Sequence, residues 1–217
     1  NKVSIMQLSK DGQKVIGSKT SIDCDCLGIS GGWTPAVHLF TQSGGKLKFR
    51  DEDQVFIPNI YPSDQISIGS CNGEFTLDEI LSTVPKTLKE FLNIKNADFE
   101  NFEIQSSFNK SKRNIWLLPS DKVIGKTNPF VDYQNDATAK DIKLALREGF
   151  RSIEHVKRYT TTGMGTDQGK LGNMHALGII SETAGSKMGE LGTTTFRPPY
   201  TPLTFGTIVG RNVGEYF

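Results

Sequence analysis

No stretch of the 217 residues approaches 18 consecutive apolar positions, so nothing in the sequence spans a bilayer as a helix. Neither sign of charge dominates: 25 Lys and Arg stand against 24 Asp and Glu. Without a strong basic field, neither nucleic acid nor an anionic membrane is favoured as a partner. Cysteine is scarce and odd in number, at Cys24, Cys26 and Cys71. With no secretory context this favours a reducing, cytoplasmic setting. The first eight residues lack an initiator Met, a basic n-region and an apolar h-region, so they do not read as a signal peptide. The stretch 211–217 reads as a loop, and both ends are expected to continue into a longer protein.

Chemistry-bearing patterns are also missing. Cys24 and Cys26 stand two apart, which on a strand places them on one face. They could be half of a metal site, but no second Cys or His pair stands at ligand spacing, and core packing is expected. His38 and His175 show no ligand spacing to each other or to a carboxylate pair. His155, beside Glu154, reads as a surface-helix histidine satisfied by a neighbouring carboxylate. No Ser–His–Asp order is present, and no catalytic or metal-ligating residue is assigned.

What is present is the composition of a globular chain, 36% hydrophobic and 23% charged, long enough for one medium domain or two small ones. Residues 3–30 read as three strands. The first, 3–8, turns through Asp11-Gly12 into 13–17, and the third, 21–30, turns Ile22, Cys24 and Cys26 inward. The third strand is expected to end at Gly31-Gly32-Trp33-Thr34-Pro35, where paired glycines permit close backbone approach or make a plain tight turn. Hairpins are expected over 41–63. A short strand at 65–68 then leads through Gly69-Ser70-Cys71-Asn72-Gly73 into a helix over 76–83. Thr76 and Glu79 stand at capping-box spacing. A helix start facing a glycine loop favours a phosphate or another oxygen-rich cofactor edge. The candidate cofactor-binding residues of this first part are therefore Gly31, Gly32, Trp33, Gly69, Ser70, Cys71, Gly73 and Thr76.

Residues 88–92 are expected to extend the helix, 98–108 is mixed, and 109–114 is a polar basic loop. The run 115–119 reads as a buried strand stopped by Pro119. We place a linker at 120–130, after a first domain over 1–119. A small helical domain follows at 131–190. Thr138 with Asp141 opens one helix that Gly149 ends, Ser152 opens a second, and a third covers about 173–183. A unit of that size is expected to dock on another surface. Between the second and third helices lies a loop with four threonines and three glycines over 160–170. A P-loop reading fails, because Gly would be needed where Met164 stands and Ser or Thr where Leu171 stands. A looser anion site remains, with threonine hydroxyls, backbone amides and Lys170 beside a helix start, or else a loop that only packs. Arg197-Pro198-Pro199-Tyr200-Thr201-Pro202 marks 191–217 as an extended segment leading to a further domain.

Two sets of residues carry a resemblance. The run from Cys24 to Pro35 resembles the segment after the nucleotide domain of flavoprotein oxidoreductases, where a strand end meets the cofactor. The runs 131–136, 149–159, 163–170 and 192–200 resemble the alpha subunits of heterotetrameric sarcosine oxidases, and the likeness covers nearly the whole chain. That resemblance implies an α/β fold. It implies part of an FAD/NAD(P)-binding-type oxidoreductase domain, followed by a helical domain of the bacterioferritin-associated-ferredoxin 2Fe–2S type without its cysteines. The four cluster-ligand positions fall on Asp132, Gln134, Asp167 and Gly172. None is a thiolate, so no iron–sulfur cluster is expected. The Gly-x-Gly-x-x-Gly fingerprint is absent and belongs upstream; the folate-domain-like part belongs downstream.

The same resemblance implies a flavoprotein complex with beta, gamma and delta subunits. NAD is bound by the full-length alpha subunit, and FMN lies at the interface with the beta subunit. Sarcosine is demethylated with oxygen as acceptor, and the one-carbon unit passes to tetrahydrofolate. Thr161, Thr166, Gln168 and Lys170 are the residues expected to line the flavin side. The alternatives are a non-catalytic binding or assembly module, and the equivalent subunit of a related amine or opine oxidase.

Overall fold

The computed structural model describes residues 1–62, 64–95, 104, 114–120, 126–198 and 200–216. Strands β1 (Lys2–Leu8) and β2 (Val15–Asp23) form an antiparallel ribbon, with Val3 opposite Ile22 and Leu8 opposite Val15. A short helix, α1 (His38–Gln42), precedes a second hairpin, β3 (Lys46–Arg50) and β4 (Val55–Ile60). A 3-10 turn at Gly69–Asn72 leads to α2 (Leu77–Phe91). After it come a small ribbon, β5 (Phe130–Asp132) with β6 (Ala137–Thr138), and helices α3 (Ala139–Arg147), α4 (Ile153–Thr160), α5 (Asn173–Ala184) and α6 (Met188–Leu191). The chain then passes through α7 (Phe205–Val209) into a kinked 3-10 stretch, Arg211–Tyr216. All strand pairs among the described residues are antiparallel and two-stranded.

Three expectations are corrected. The first ribbon has two strands rather than three, because β2 runs as one strand from Val15 to Asp23, with a register shift between Ile5 and Gln7 of its partner. Residues 24–36 form no regular element. Cys26, Ile22 and Leu27 are exposed and Cys24 is half-buried, so the cysteines are not core residues. A two-stranded ribbon with no sheet layer behind it among the described residues has no inside for alternate side chains to face. Residues 65–68 and 115–119 run extended or bent and join no strand ladder among the described residues, since a segment becomes a strand only where a neighbour takes its backbone groups. The expected extension of the helix over 88–92 does form: α2 runs through Pro85 as one helix to Phe91, at the expense of the hydrogen bond that the Leu81 carbonyl would accept. The capping box does form: Thr76 Oγ1 accepts from Glu79 N and Glu79 Oε2 accepts from Thr76 N, both at 3.4 Å. The expectations for 98–103, 105–113 and 121–125 fall outside the described residues.

The main core follows the helical pattern. Ile142, Ala145 and Leu146 of α3 meet Ile153 and Val156 of α4, and Ala176, Leu177, Ile179 and Ile180 of α5. Fully burying an aliphatic side chain contributes about 1.5–3 kcal/mol. Phe56 of β4 joins the same cluster, with Leu47, Phe49 and Trp116 packed against it. The helical unit therefore docks on the β3–β4 hairpin and does not stand alone. Asp141 Oδ2 accepts from both the N–H and the hydroxyl of Thr138, at 2.8 and 2.7 Å, which fixes the start of α3. Gly149, at φ +100°, supplies the left-handed residue just beyond its end.

Candidate functional site

The loop between α4 and α5 is built by its own threonines and glycines. Thr160 Oγ1 bonds the Val156 carbonyl at 2.8 Å and lies 2.7 Å from Thr162 Oγ1, both side chains being buried. Thr161 takes the left-handed conformation at φ +61°, which turns the chain off the helix. Asp132, at the end of β5, holds the loop from the other side. Its Oδ2 accepts from Gly163 N at 2.7 Å and its Oδ1 from Gln134 N at 2.8 Å. Burial alone would raise this carboxyl's pKa, but hydrogen bonds from Gly163, Asn135 and Gln134 outweigh it and the pKa is lowered. Gln134 Oε1 accepts from Asp167 N at 3.1 Å, and Asp167 Oδ1 accepts from Gly169 N at 3.0 Å. A side chain at Gly172 would collide with the Val131 carbonyl. Asp132, Gln134, Asp167 and Gly172 thus do converge, through hydrogen bonds and backbone contact. Two engaged carboxylates, a carboxamide and a glycine do not suit an iron–sulfur cluster.

Beside this loop lies a narrow, mostly apolar cavity of about 30 Å³. His38 forms part of its wall, with Val37, Phe56, Leu177, Phe196 and Lys170. The imidazole is 7% exposed, and its ring centroid stands 4.0 Å from that of Phe196. Neither Nδ1 nor Nε2 has a hydrogen-bond partner among the described residues. An unsatisfied buried polar group costs about 1–3 kcal/mol. Burial, followed by the charge of Lys170, lowers the His38 pKa to about 4, so the ring is neutral at pH 7. Lys170 sits with its ammonium 4.1 Å from the centre of the Tyr200 ring and donates to the Tyr200 carbonyl. Sequence reading passed over His38, because its partners Phe196 and Lys170 lie far along the chain and no spacing rule links them.

The sequence-predicted residues are distributed over three places. Gly31 lies against the His175 ring of α5, while Gly31, Gly32 and Trp33 are all exposed, Trp33 at 72%. Gly69 and Gly73 are buried in a corner. Arg50, paired with Asp53, donates to the Gly73 carbonyl at 2.7 Å, and a side chain on Gly73 would collide with Arg50 and Ile57. The Gly69 N–H donates to Glu74 Oε2 at 3.2 Å, and that oxygen also accepts from Thr83 Oγ1 at 2.7 Å. An internal carboxylate thus holds the donor that a phosphate would use. Ser70 is exposed, Cys71 Sγ donates to the Ile68 carbonyl at 3.0 Å, and Thr76 is engaged as the cap. On the α4–α5 loop, Thr161 Oγ1 donates to the Thr160 carbonyl at 2.6 Å. Thr166 Oγ1 accepts from Gln134 Nε2 at 2.9 Å, and Gln168 Nε2 donates to the Gly165 carbonyl at 3.0 Å.

Residues 126–211 match the family model of the sarcosine oxidase A3 domain. The chain is 36% identical over 206 residues to the sarcosine oxidase alpha subunit of Rhizobium meliloti (strain 1021), covering 93% of this chain and 20% of that protein. It is 34% identical over 223 residues to the sarcosine oxidase alpha subunit of Corynebacterium sp. (strain P-1), covering 98% and 22%. The chain belongs to the sarcosine oxidase alpha-subunit family. It spans about a fifth of the length of these curated relatives. An opine oxidase subunit of Rhizobium meliloti (strain 1021) is 33% identical over 73 residues, 34% of this chain and 16% of that one. Among solved structures, the L-proline dehydrogenase from P. horikoshii superposes with a TM-score of 0.47 at 20% identity, covering 82% of this chain and 37% of that one. No helix among the described residues is long and apolar enough to cross a membrane.

Proposed function

We propose that this chain is part of the alpha subunit of a flavin-dependent, multi-subunit oxidase that acts on sarcosine. The helical unit at 131–190 would present the 160–170 loop to a flavin-bearing beta subunit. The observation that carries this reading is similarity to sarcosine oxidase alpha subunits over 93% and 98% of the chain. The loop residues suit the role. Among the described residues, Thr166, Gln168 and Lys170 keep O–H or N–H donors beyond their internal bonds, and Met164 and Leu171 expose apolar surface beside them. Such a rim fits a flat ring edged with carbonyl oxygens or a phosphate. The bound flavin, FMN in this reading, supplies the two-electron acceptor; the chain's own residues bind and orient it.

In the same reading the first part, 1–119, belongs to the dinucleotide domain. NAD would meet the exposed Gly31, Gly32 and Trp33 in preference to Gly69, whose N–H Glu74 holds. Residues 120–130 serve as the linker and 191–217 lead toward a folate-binding part. Gamma and delta subunits and a cytoplasmic site complete the assignment. The match to the opine oxidase subunit supports a second reading, the equivalent subunit of an oxidase for a related amine.

The test is to purify the full-length subunit with its partners, release the cofactors by denaturation, and assay turnover with sarcosine against an opine. Flavin in the complex, with loss of flavin or of turnover in Lys170→Ala at an unchanged melting temperature, supports the assignment. A Lys170→Ala complex with normal flavin content and turnover removes the loop from the flavin site. Preference for the opine selects the second reading.

A further inference from the structure

Three observations at the His38 cavity point to the same kind of ligand. His38 is only 7% exposed, and both ring nitrogens lack a partner among the described residues. Lys170, in the same wall, makes no ion pair among the described residues; its ammonium meets only the Tyr200 ring and carbonyl there. Its charge acts across the cavity, adding to burial in keeping the imidazole neutral, so the potential inside is positive. A neutral imidazole offers one N–H donor. A buried N–H donor beside a half-buried cation that makes no ion pair among the described residues favours an anion.

The remaining wall sets the size and shape of that anion. Val37, Phe56, Leu177 and Phe196 are buried and apolar. The volume of about 30 Å³ holds roughly two to three water-sized groups. A tetrahedral oxyanion would set more of its oxygens against this hydrocarbon than a carboxylate does. Water alone would satisfy His38 but bring no counter-charge to Lys170, which is half-buried. Among the polar side chains of the wall, Asn173 Nδ2 donates to Thr194 Oγ1 at 2.8 Å, and the Thr34 and Thr193 side chains lie at its edge.

We propose that this cavity binds a short-chain monocarboxylate, whose two oxygens accept from the His38 ring N–H and from Lys170 while its alkyl end lies among Val37, Phe56 and Leu177. The inference does not rest on the flavin reading, and its test contains no flavin. The chain carries three histidines, His38, His155 and His175, so isotope-labelled histidine gives ring-nitrogen NMR signals that can be assigned. The full chain is titrated at neutral pH with sodium acetate, and in parallel with sodium chloride and with acetamide, the neutral isostere. The expected result is a saturable shift of the His38 ring nitrogens with acetate alone, the other two histidines being unmoved. Lys170→Met should weaken acetate binding about tenfold or more, the loss of one hydrogen bond to a charged group. A His38 signal that acetate leaves unmoved, or that chloride or acetamide moves equally, overturns the proposal. That comparison uses the unmutated protein, so it decides the matter even where a variant fails to fold.

Discussion

Asp132 Oδ2 accepts the N–H of Gly163 at 2.7 Å, joining the end of β5 to the loop that leaves α4. The same carboxylate takes the N–H groups of Gln134 and Asn135 at 2.8 and 3.1 Å. One buried side chain therefore fixes both the β5–β6 turn and the candidate site's loop.

Removing it should be costly. Asp132→Ala leaves the Gly163 N–H buried without a partner, and we expect about 2–4 kcal/mol of lost stability by urea denaturation. The lowered pKa gives the sign of the pH dependence. Relative to the ordinary value of 3.8, the contribution is fully present above that value and lost as pH falls through the lower folded value. Asp132→Asn should thus be weaker than the parent at neutral pH, with the gap closing in acid. A gap independent of pH would contradict the hydrogen-bonding account.

His38 shares that sign, since the fold holds it deprotonated too, here as the neutral ring. Its pKa is lowered from 6.5 to about 4, so between those values the unfolded chain binds a proton that the folded chain refuses. Stability attributable to this residue falls as pH drops from 6.5 toward 4, by on the order of 2 kcal/mol. His38→Phe keeps an aromatic ring beside Phe196 and should remove that component. Thermal melts of both proteins across this window are the check, and parallel pH profiles would contradict it.

Gly178 sits inside α5 with the Trp116 ring against its Cα, where a Cβ would collide with the indole. Helix propensity alone favours Gly178→Ala by about 1 kcal/mol, while overpacking costs about 1–3 kcal/mol. The second effect should win, giving a net loss of about 1 kcal/mol. In a Trp116→Ala background the ring is gone, and the same substitution should become neutral or stabilising. A double-mutant cycle with no coupling would show that the contact carries no energy.

The legible parts of the fold were those governed by neighbours in sequence. Thr76 with Glu79, Thr138 with Asp141, and the 3.6-residue spacing of Ile142, Ala145 and Leu146 place helix starts and faces by local chemistry alone. The likeness of 131–170 to sarcosine oxidase alpha subunits was legible for the same reason, being carried by contiguous motifs. Strand status was not. Residues 24–30 and 115–119 have strand composition, but a strand exists only if a distant partner takes its backbone groups in a continuous ladder; among the described residues the Cys24 N–H donates to the Asn1 carbonyl and no ladder follows.

The glycine corner at Gly69–Gly73 shows the same divide at a candidate site. The sequence supplied a flexible loop ahead of a capped helix. Tertiary packing decided that Arg50 and Glu74 would close over it. His38 is the clearest case. Its position after Val37 was written in the chain, yet its burial, its neutrality and its cavity come from Phe196, Lys170 and Tyr200, which only folding brings near. Local hydrogen bonding and periodicity act over a few residues and are written in order along the sequence. Desolvation and charge act through space, and only the folded chain sets those distances.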